Sequence, residues 1–110
     1  MPRNAKGSRC ERALLEYLAD KGYLVHRVAG SGKNDEAICD LVAIDKSGKV
    51  FLIEVKARKS VYYPKENLGQ IKELIRYAKN YNAVPLLAVK LNYKDWKLFD
   101  LTQGVPEKVE

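Results

Sequence analysis

The chain has 110 residues, of which 31% are charged and 46% hydrophobic, and its formal net charge is +6. This length fits one small domain, expected to cover residues 1–110, and the sequence contains no apolar run long enough to span a membrane. Its two cysteines have neither zinc-site spacing nor a disulfide framework, which favours a reducing, intracellular setting, here expected to be cytoplasmic.

The apolar periodicity and the turn-forming residues predict an α/β protein with the element order α-β-β-β-α-β-β, in which helices flank a mixed sheet. In chain order we expect a basic arm (1–6), a helix capped by Ser8 and ended by Gly22, strands at 23–29, 40–44 and 49–57, a helix at 65–81, strands at 84–91 and 96–101, and a loose tail after Gly104. A Gly- and Ser-rich loop at 30–35 separates the first two strands.

The positive charge is concentrated in two places along the sequence. One group lies near the N-terminus and the other at and after the end of the third predicted strand: Arg3, Lys6, Arg9 and Arg12, then Lys56, Arg58 and Lys59. Such a distribution suits a polyanionic partner such as nucleic acid, and it equally suits a solvated basic surface. Composition alone leaves both interpretations open.

Three charged residues interrupt the apolar strands in the middle of the chain. Asp40 opens the second strand, and Glu54 and Lys56 share one face of the third, because side chains alternate along a strand. A short turn at 47–48 makes the two strands antiparallel neighbours and brings Asp40 near Glu54. Adjacent carboxylates repel unless a cation lies between them, and Mg²⁺ takes such oxygen ligands together with substrate phosphate. Lys56 could contact that phosphate or form a cross-strand salt bridge.

Glu11 is a third carboxylate with two interpretations. It precedes Leu14, Leu15 and Leu18 by three, four and seven residues, so it heads the apolar stripe of the first helix and points toward the sheet. Ser8 and Glu11 also fit an S-x-x-E capping box, which requires no chemistry. The spacing does not decide between them, but three carboxylates directed at one site favour a metal.

These residues resemble a known nuclease pattern. Asp40 followed by Glu54-Val55-Lys56 resembles the D…(D/E)-x-K signature of restriction-endonuclease-like nucleases. A longer series recurs in the same order in archaeal Holliday junction resolvases, and it is made up of residues 6–12, Gly22-Tyr23, residues 27–32, Asp40-Leu-Val-Ala and Ile53-Glu54-Val-Lys56. The later helix segment Gln70-Ile71-Lys72 and the strand at 85–90 are similar as well. One departure is Cys39, which stands where the relatives commonly have proline.

The resemblance implies a restriction-endonuclease-like fold and a homodimeric, magnesium-dependent endonuclease, for which Mn²⁺ can substitute. Such an enzyme resolves four-way DNA junctions in recombination and repair by cutting two opposed strands symmetrically. The resemblance further implies no membrane partner and no small-molecule substrate. By position, Glu11, Asp40 and Glu54 would hold the metal, Lys56 would act at the phosphate, and Ser31 matches a loop serine implicated in catalysis. Arg12 and Arg27 match arginines that the relatives use at or near the cleavage site. The further residues expected to contact DNA are Lys6, Arg9, Arg58 and Lys59.

Two other functions fit parts of the sequence. One is a non-catalytic nucleic-acid-binding protein that keeps the fold and the basic face. The other is the same hydrolytic chemistry on different branched DNA. A protein that only binds has no need of Glu11, Asp40, Glu54 and Lys56 together, so the complete set favours the nuclease.

Overall fold

The computed structural model describes residues 5–28 and 37–110, without the side chains of residues 5 and 6. Within these ranges a five-stranded sheet carries one helix on each face. The elements are α1 (Ala5–Asp20), β1 (Leu24–Arg27), β2 (Leu41–Ile44), β3 (Val50–Arg58), a 3₁₀ turn (Pro64–Asn67), α2 (Leu68–Asn80), β4 (Val84–Leu91), β5 (Lys97–Asp100) and a second 3₁₀ turn (Leu101–Gln103).

The sheet has the strand order β1-β2-β3-β4-β5, and all neighbouring pairs are antiparallel except β3 and β4. The parallel pair needs a crossover connection, which α2 supplies. The predicted mixed sheet and the predicted order of helices and strands are therefore confirmed. In the described ranges, no helix combines the length and the hydropathy that a bilayer crossing requires.

Two hydrophobic cores lie on opposite faces of the sheet, because neighbouring residues of each strand point in opposite directions. Ile53 is fully buried against α1, where Leu14 and Leu18 pack. Leu52 packs instead against the core of α2, which contains Ile71. Glu54 and Lys56 alternate with Ile53 and so share the α2 face with Leu52. Both faces of β3 are thus covered, and the charged residues lie beside a core.

The first helix begins earlier than predicted. It includes Ala5 and Lys6, so the predicted arm is helical at its end, while residues 1–4 lie outside the described residues. Ser8 lies inside the helix and is not its N-cap, which means that the capping-box interpretation of Glu11 is wrong. The predicted loop at 30–35, including Ser31, lies outside the described residues.

The predicted loose tail is wrong for its last residues. Val109 is 2% exposed, and its backbone exchanges two hydrogen bonds with Tyr62, of 2.9 and 2.8 Å. Tyr62 is itself fully buried, and its hydroxyl donates to Asn67 Oδ1 at 2.9 Å. The end of the chain therefore closes the core of α2 beside the segment that follows β3.

We expect Val109→Ala to lower the free energy of unfolding by about 2 kcal/mol, because it removes two buried methyl groups. Val105 lies in the same tail and is 37% exposed, so Val105→Ala is the matched control and should change stability by less than about 0.5 kcal/mol. Urea unfolding followed by circular dichroism measures both. Equal effects of the two substitutions would show that the tail is not anchored.

Candidate active site

Two buried carboxylates face each other at the end of the β2–β3 pair. Leu41 pairs with Ile53, and the next step of this register brings Asp40 opposite Glu54. The amide N–H of Asp40 donates to the carbonyl of Ile53 at 2.9 Å, which extends the ladder by that step. Asp40 is 9% exposed and Glu54 is 7% exposed. The predicted proximity of the two acids follows from strand register alone.

The Asp40 carboxylate is fixed by the backbone of the neighbouring strand. The amide of Val55 donates to Asp40 Oδ2 at 2.8 Å. A hydrogen bond between an amide and a carboxylate partly compensates the burial of the charge. It also holds the side chain in one orientation beside Glu54, so this half of the site is preorganised.

Glu54 has an unusual proton affinity for a glutamate. The pKa of its carboxyl is raised to about 7, mainly by burial. The neighbouring charge of Asp40 contributes to this rise, whereas Lys56 opposes it. The ionised form therefore lacks sufficient positive charge around it near neutral pH. A cation placed between Glu54 and Asp40 would supply that charge.

Lys56 lies directly beside the acids. Its Nζ is 3.3 Å from Glu54 Oε2 and 3.4 Å from Gln70 Oε1, and its side chain is 14% exposed. Lys56 therefore forms the salt bridge that the sequence left as an alternative, but it does so along its own strand with Glu54 and not across to a neighbouring strand. An ammonium in this position can also meet a phosphate that approaches the two carboxylates, so the ion pair and the chemical role are compatible.

Glu11 reaches the same region from α1, but its carboxylate is engaged by Arg27. Glu11 Oε1 accepts hydrogen bonds from Arg27 Nη2 at 3.1 Å and from Arg27 Nε at 3.3 Å. Burial raises the pKa of Glu11, and the charge of Asp40 contributes in the same direction, whereas Arg27 lowers it. Glu11 is thus close enough to Asp40 for their charges to interact, while its carboxylate is paired with Arg27.

The fit of a metal can be judged from the donors that are present. Among residues 5–28 and 37–110, no three His, Cys, Asp or Glu side chains are grouped so that they could hold an ion as they stand. Asp40 and Glu54 nevertheless form a pair of carboxylates with too little positive charge around them. Mg²⁺ is usually bound through one or two carboxylates, waters and substrate phosphates. The donor pair fits magnesium, and the full set with Glu11 stays a prediction.

The predicted DNA-contacting residues differ in their surroundings. Arg9, Arg12 and Lys59 are exposed. Arg58 is paired with Glu66 at 3.1 Å, and its guanidinium carbon lies 5.1 Å from the centre of the Tyr62 ring. The side chain of Lys6 and the whole of Ser31 lie outside the described residues.

The two cysteines and the histidine of the described residues differ in their burial. Cys39 is buried, and burial raises the pKa of its thiol to about 11, so it is inert at neutral pH. Cys10 is only half-buried, and His26 is exposed on β1. Of the two thiols, Cys39 is therefore the buried one.

Gln70 is a residue at the site to which the sequence analysis gave no role. It is the third residue of α2 and its amide oxygen accepts from Lys56. The local sequence shows an amphipathic helix, but it does not show which strand residue lies beneath the first turn. A βαβ unit places the start of its helix near the carboxyl end of the strand that precedes it, and this geometry could have placed Gln70 beside Lys56.

Comparisons with known proteins agree on one family. A model of the family described as archaeal Holliday junction resolvase (Hjc) matches residues 2–106. The chain is 37% identical over 98 residues to a crossover junction endodeoxyribonuclease Hjc from Archaeoglobus fulgidus, covering 86% of this chain and 68% of that protein. Proteins of the same name from Sulfolobus acidocaldarius and Sulfurisphaera tokodaii are 41% and 40% identical, covering 69% and 79% of this chain but only 55% and 60% of theirs.

A solved structure supports the same relationship. It is the 1.6 Å structure of Archaeoglobus fulgidus Hjc, described as a Holliday junction resolvase from an archaeal hyperthermophile. It matches this chain with a TM-score of 0.73 at 34% identity, covering 86% of this chain and 75% of that one. The match confirms the predicted fold class.

We expect Glu54→Gln to stabilise the metal-free fold at about pH 8 by roughly 1 to 3 kcal/mol, because one unit of pKa shift corresponds to about 1.4 kcal/mol. The folded-state pKa of Glu54 is raised from 4.5 to about 7, so the stability linked to its protonation is complete below 4.5 and is lost as the pH rises through about 7. The advantage of the variant should therefore disappear at low pH.

Urea unfolding in the presence of EDTA, between about pH 4 and about pH 8, measures this difference. Glu16→Gln changes an exposed glutamate of α1 in the same way and is the matched control. A difference between Glu54→Gln and the wild type that does not vary with pH would contradict the assignment.

Proposed function

The chain belongs to the archaeal Holliday junction resolvase family, and from this premise we propose that it is a structure-selective endonuclease that cuts four-way DNA junctions. The observation that carries the proposal is the burial of Asp40 opposite Glu54 with Lys56 beside them. Because this chain spans only 55–68% of the three relatives' lengths, their activity is transferred here as a proposal. Action on chromosomal DNA in recombination and repair would place the protein with DNA in the cytoplasm.

The proposed reaction is hydrolysis of a phosphodiester bond to a 5′-phosphate and a 3′-hydroxyl. Asp40 and Glu54 would hold a magnesium ion, and Mn²⁺ has the same preference for oxygen ligands. When bound there, the metal supplies positive charge to the phosphate oxygens and helps to orient the attacking water. Glu11 is the third proposed ligand once its carboxylate leaves Arg27.

The protein side chains have separate tasks in this proposal. Asp40 stays in place through the amide of Val55, so the reacting phosphate meets a site that needs little rearrangement. Lys56 directs its ammonium to the negative charge that develops on the phosphate. Exposed Arg9, Arg12 and Lys59 contact the DNA backbone, which suits recognition of a junction by shape more than by sequence.

A homodimer is the assembly that suits this substrate. Resolution of a junction requires cuts in two opposed strands, and each chain contributes one site. A two-fold dimer would hold two identical sites at a fixed separation and so make the paired cuts symmetric. The basic net charge of +6 per chain gives such a dimer a broad surface for phosphate.

We expect Asp40→Asn and Lys56→Met each to lower the rate of junction cleavage by about 100-fold or more, with little change in junction affinity. Asparagine keeps an oxygen that can accept from Val55 and removes only the charge. Single-turnover cleavage of a synthetic four-way junction in Mg²⁺ and a gel-shift titration in EDTA measure the two quantities. Asp95→Asn removes an exposed carboxylate and is the control.

Two results would overturn the proposal in different ways. Normal cleavage by Asp40→Asn would show that the metal assignment is wrong. Tight junction binding by the wild type, with no cleavage of junctions or other branched DNA in Mg²⁺ or Mn²⁺, would identify a binding protein that keeps the fold.

We expect Arg27→Met to tighten Mn²⁺ binding by up to about fivefold, because it releases Glu11 from an ion pair of the partly exposed kind. Isothermal titration calorimetry without DNA measures the affinity. Arg12→Met removes the same charge from an exposed arginine next to Glu11 in sequence, and so controls for the general loss of positive potential. Equal changes in the two variants would rule out competition between Arg27 and the metal for Glu11.

A further inference from the structure

The ammonium of Lys56 lies between two oxygen acceptors of different charge. Glu54 Oε2 lies on its own strand at 3.3 Å, and Gln70 Oε1 lies on α2 at 3.4 Å. The lysine side chain is only 14% exposed, so few water molecules can replace a missing acceptor. Its long stem makes the ammonium position dependent on such partners, because a free lysine side chain samples many rotamers.

The acceptor on Glu54 is not a constant one. Glu54 is a proposed metal ligand, and coordination of a cation would draw its charge away from Lys56. If Glu54 were the sole acceptor, the ammonium would be released at the moment when the site is loaded for reaction.

The neutral amide of Gln70 has the properties that this situation requires. It accepts a hydrogen bond without neutralising the positive charge that Lys56 presents to phosphate. The residue projects from the first turn of α2, and α2 packs on the same sheet face as Lys56. The buried Ile71 follows Gln70 directly and fixes this turn against the sheet.

We propose that Gln70 is a positioning residue that holds the Lys56 ammonium toward the Asp40–Glu54 pair independently of the charge on Glu54. This inference rests on the proposed function, because it assigns Lys56 to the reacting phosphate. Gln70 itself is exposed and acts through Lys56. Its contribution therefore belongs to the rate of the chemical step and leaves junction affinity unaltered.

The kinetic test compares Gln70→Met, which keeps the length of the side chain and removes the acceptor, with Gln103→Met, an exposed glutamine beyond β5. We expect Gln70→Met to slow single-turnover cleavage about tenfold at saturating enzyme with unchanged junction affinity. Gln103→Met should cut at the wild-type rate. Gln70→Glu keeps an oxygen at the same reach but adds a charge that neutralises Lys56, so it should hold the ammonium in place and still cut more slowly than the wild type.

A double-mutant cycle separates positioning from a general effect on the fold. In the Lys56→Met background, Gln70→Met should have no further effect on the residual rate, because the group that it positions is gone. An undiminished tenfold loss in that background would overturn the inference. Wild-type cleavage by Gln70→Met would overturn it as well.

A spectroscopic readout makes the inference independent of cleavage. In metal-free Glu54→Gln protein, which lacks the charge on residue 54, the Lys56 ammonium should give a slowly exchanging ¹⁵N–¹H resonance, which the further substitution Gln70→Met abolishes and Gln70→Glu retains. A resonance that is unchanged in Gln70→Met would contradict the contact. If the wild-type protein cuts no junction but this pattern holds, the proposed function fails while the hold of Gln70 on Lys56 stands.

Discussion

The site depends on one constraint, the burial of Asp40 and Glu54 opposite each other on neighbouring strands. Two like charges at such a place are unfavourable, and the fold compensates them only in part, through the amide of Val55 and the ammonium of Lys56. They cannot move apart, because a slip of one residue in β2–β3 would turn the apolar side chains of two cores toward the wrong faces. The cores thus enforce the arrangement that the carboxylates alone would avoid.

Much of this arrangement could be predicted from the sequence, because it depends on short-range geometry. Alternation along the third strand placed Glu54 and Lys56 on one face, and the short turn at 47–48 fixed the register that brings Asp40 across from Glu54. Apolar residues at helical spacing, Ile71 among them, likewise predicted the helix that lies between β3 and β4 in the chain. The mixed sheet was predicted from the order of these elements along the chain.

The parts that could not be predicted are contacts between segments distant in sequence. An S-x-x-E pattern is compatible with a cap, and only the three-dimensional structure shows that Glu11 meets Arg27 instead. The polar, Pro-containing end of the chain gives no local sign that Val109 pairs with Tyr62. The contact of Gln70 is also of this kind, because its partner Lys56 lies on β3 and a connecting segment separates β3 from α2.

The parallel pairing of β3 with β4 affects when the site can form. Glu54 is in register with Leu87, so the inner edge of its strand is covered only by a segment translated after α2. While the chain is being made from its N-terminus, both acids have left the ribosome before this cover exists. Until then, water reaches Glu54 and the glutamate behaves as it would in a peptide. Synthesis thus yields a chain in which the proposed cleavage site is assembled only after most of the residues have been added.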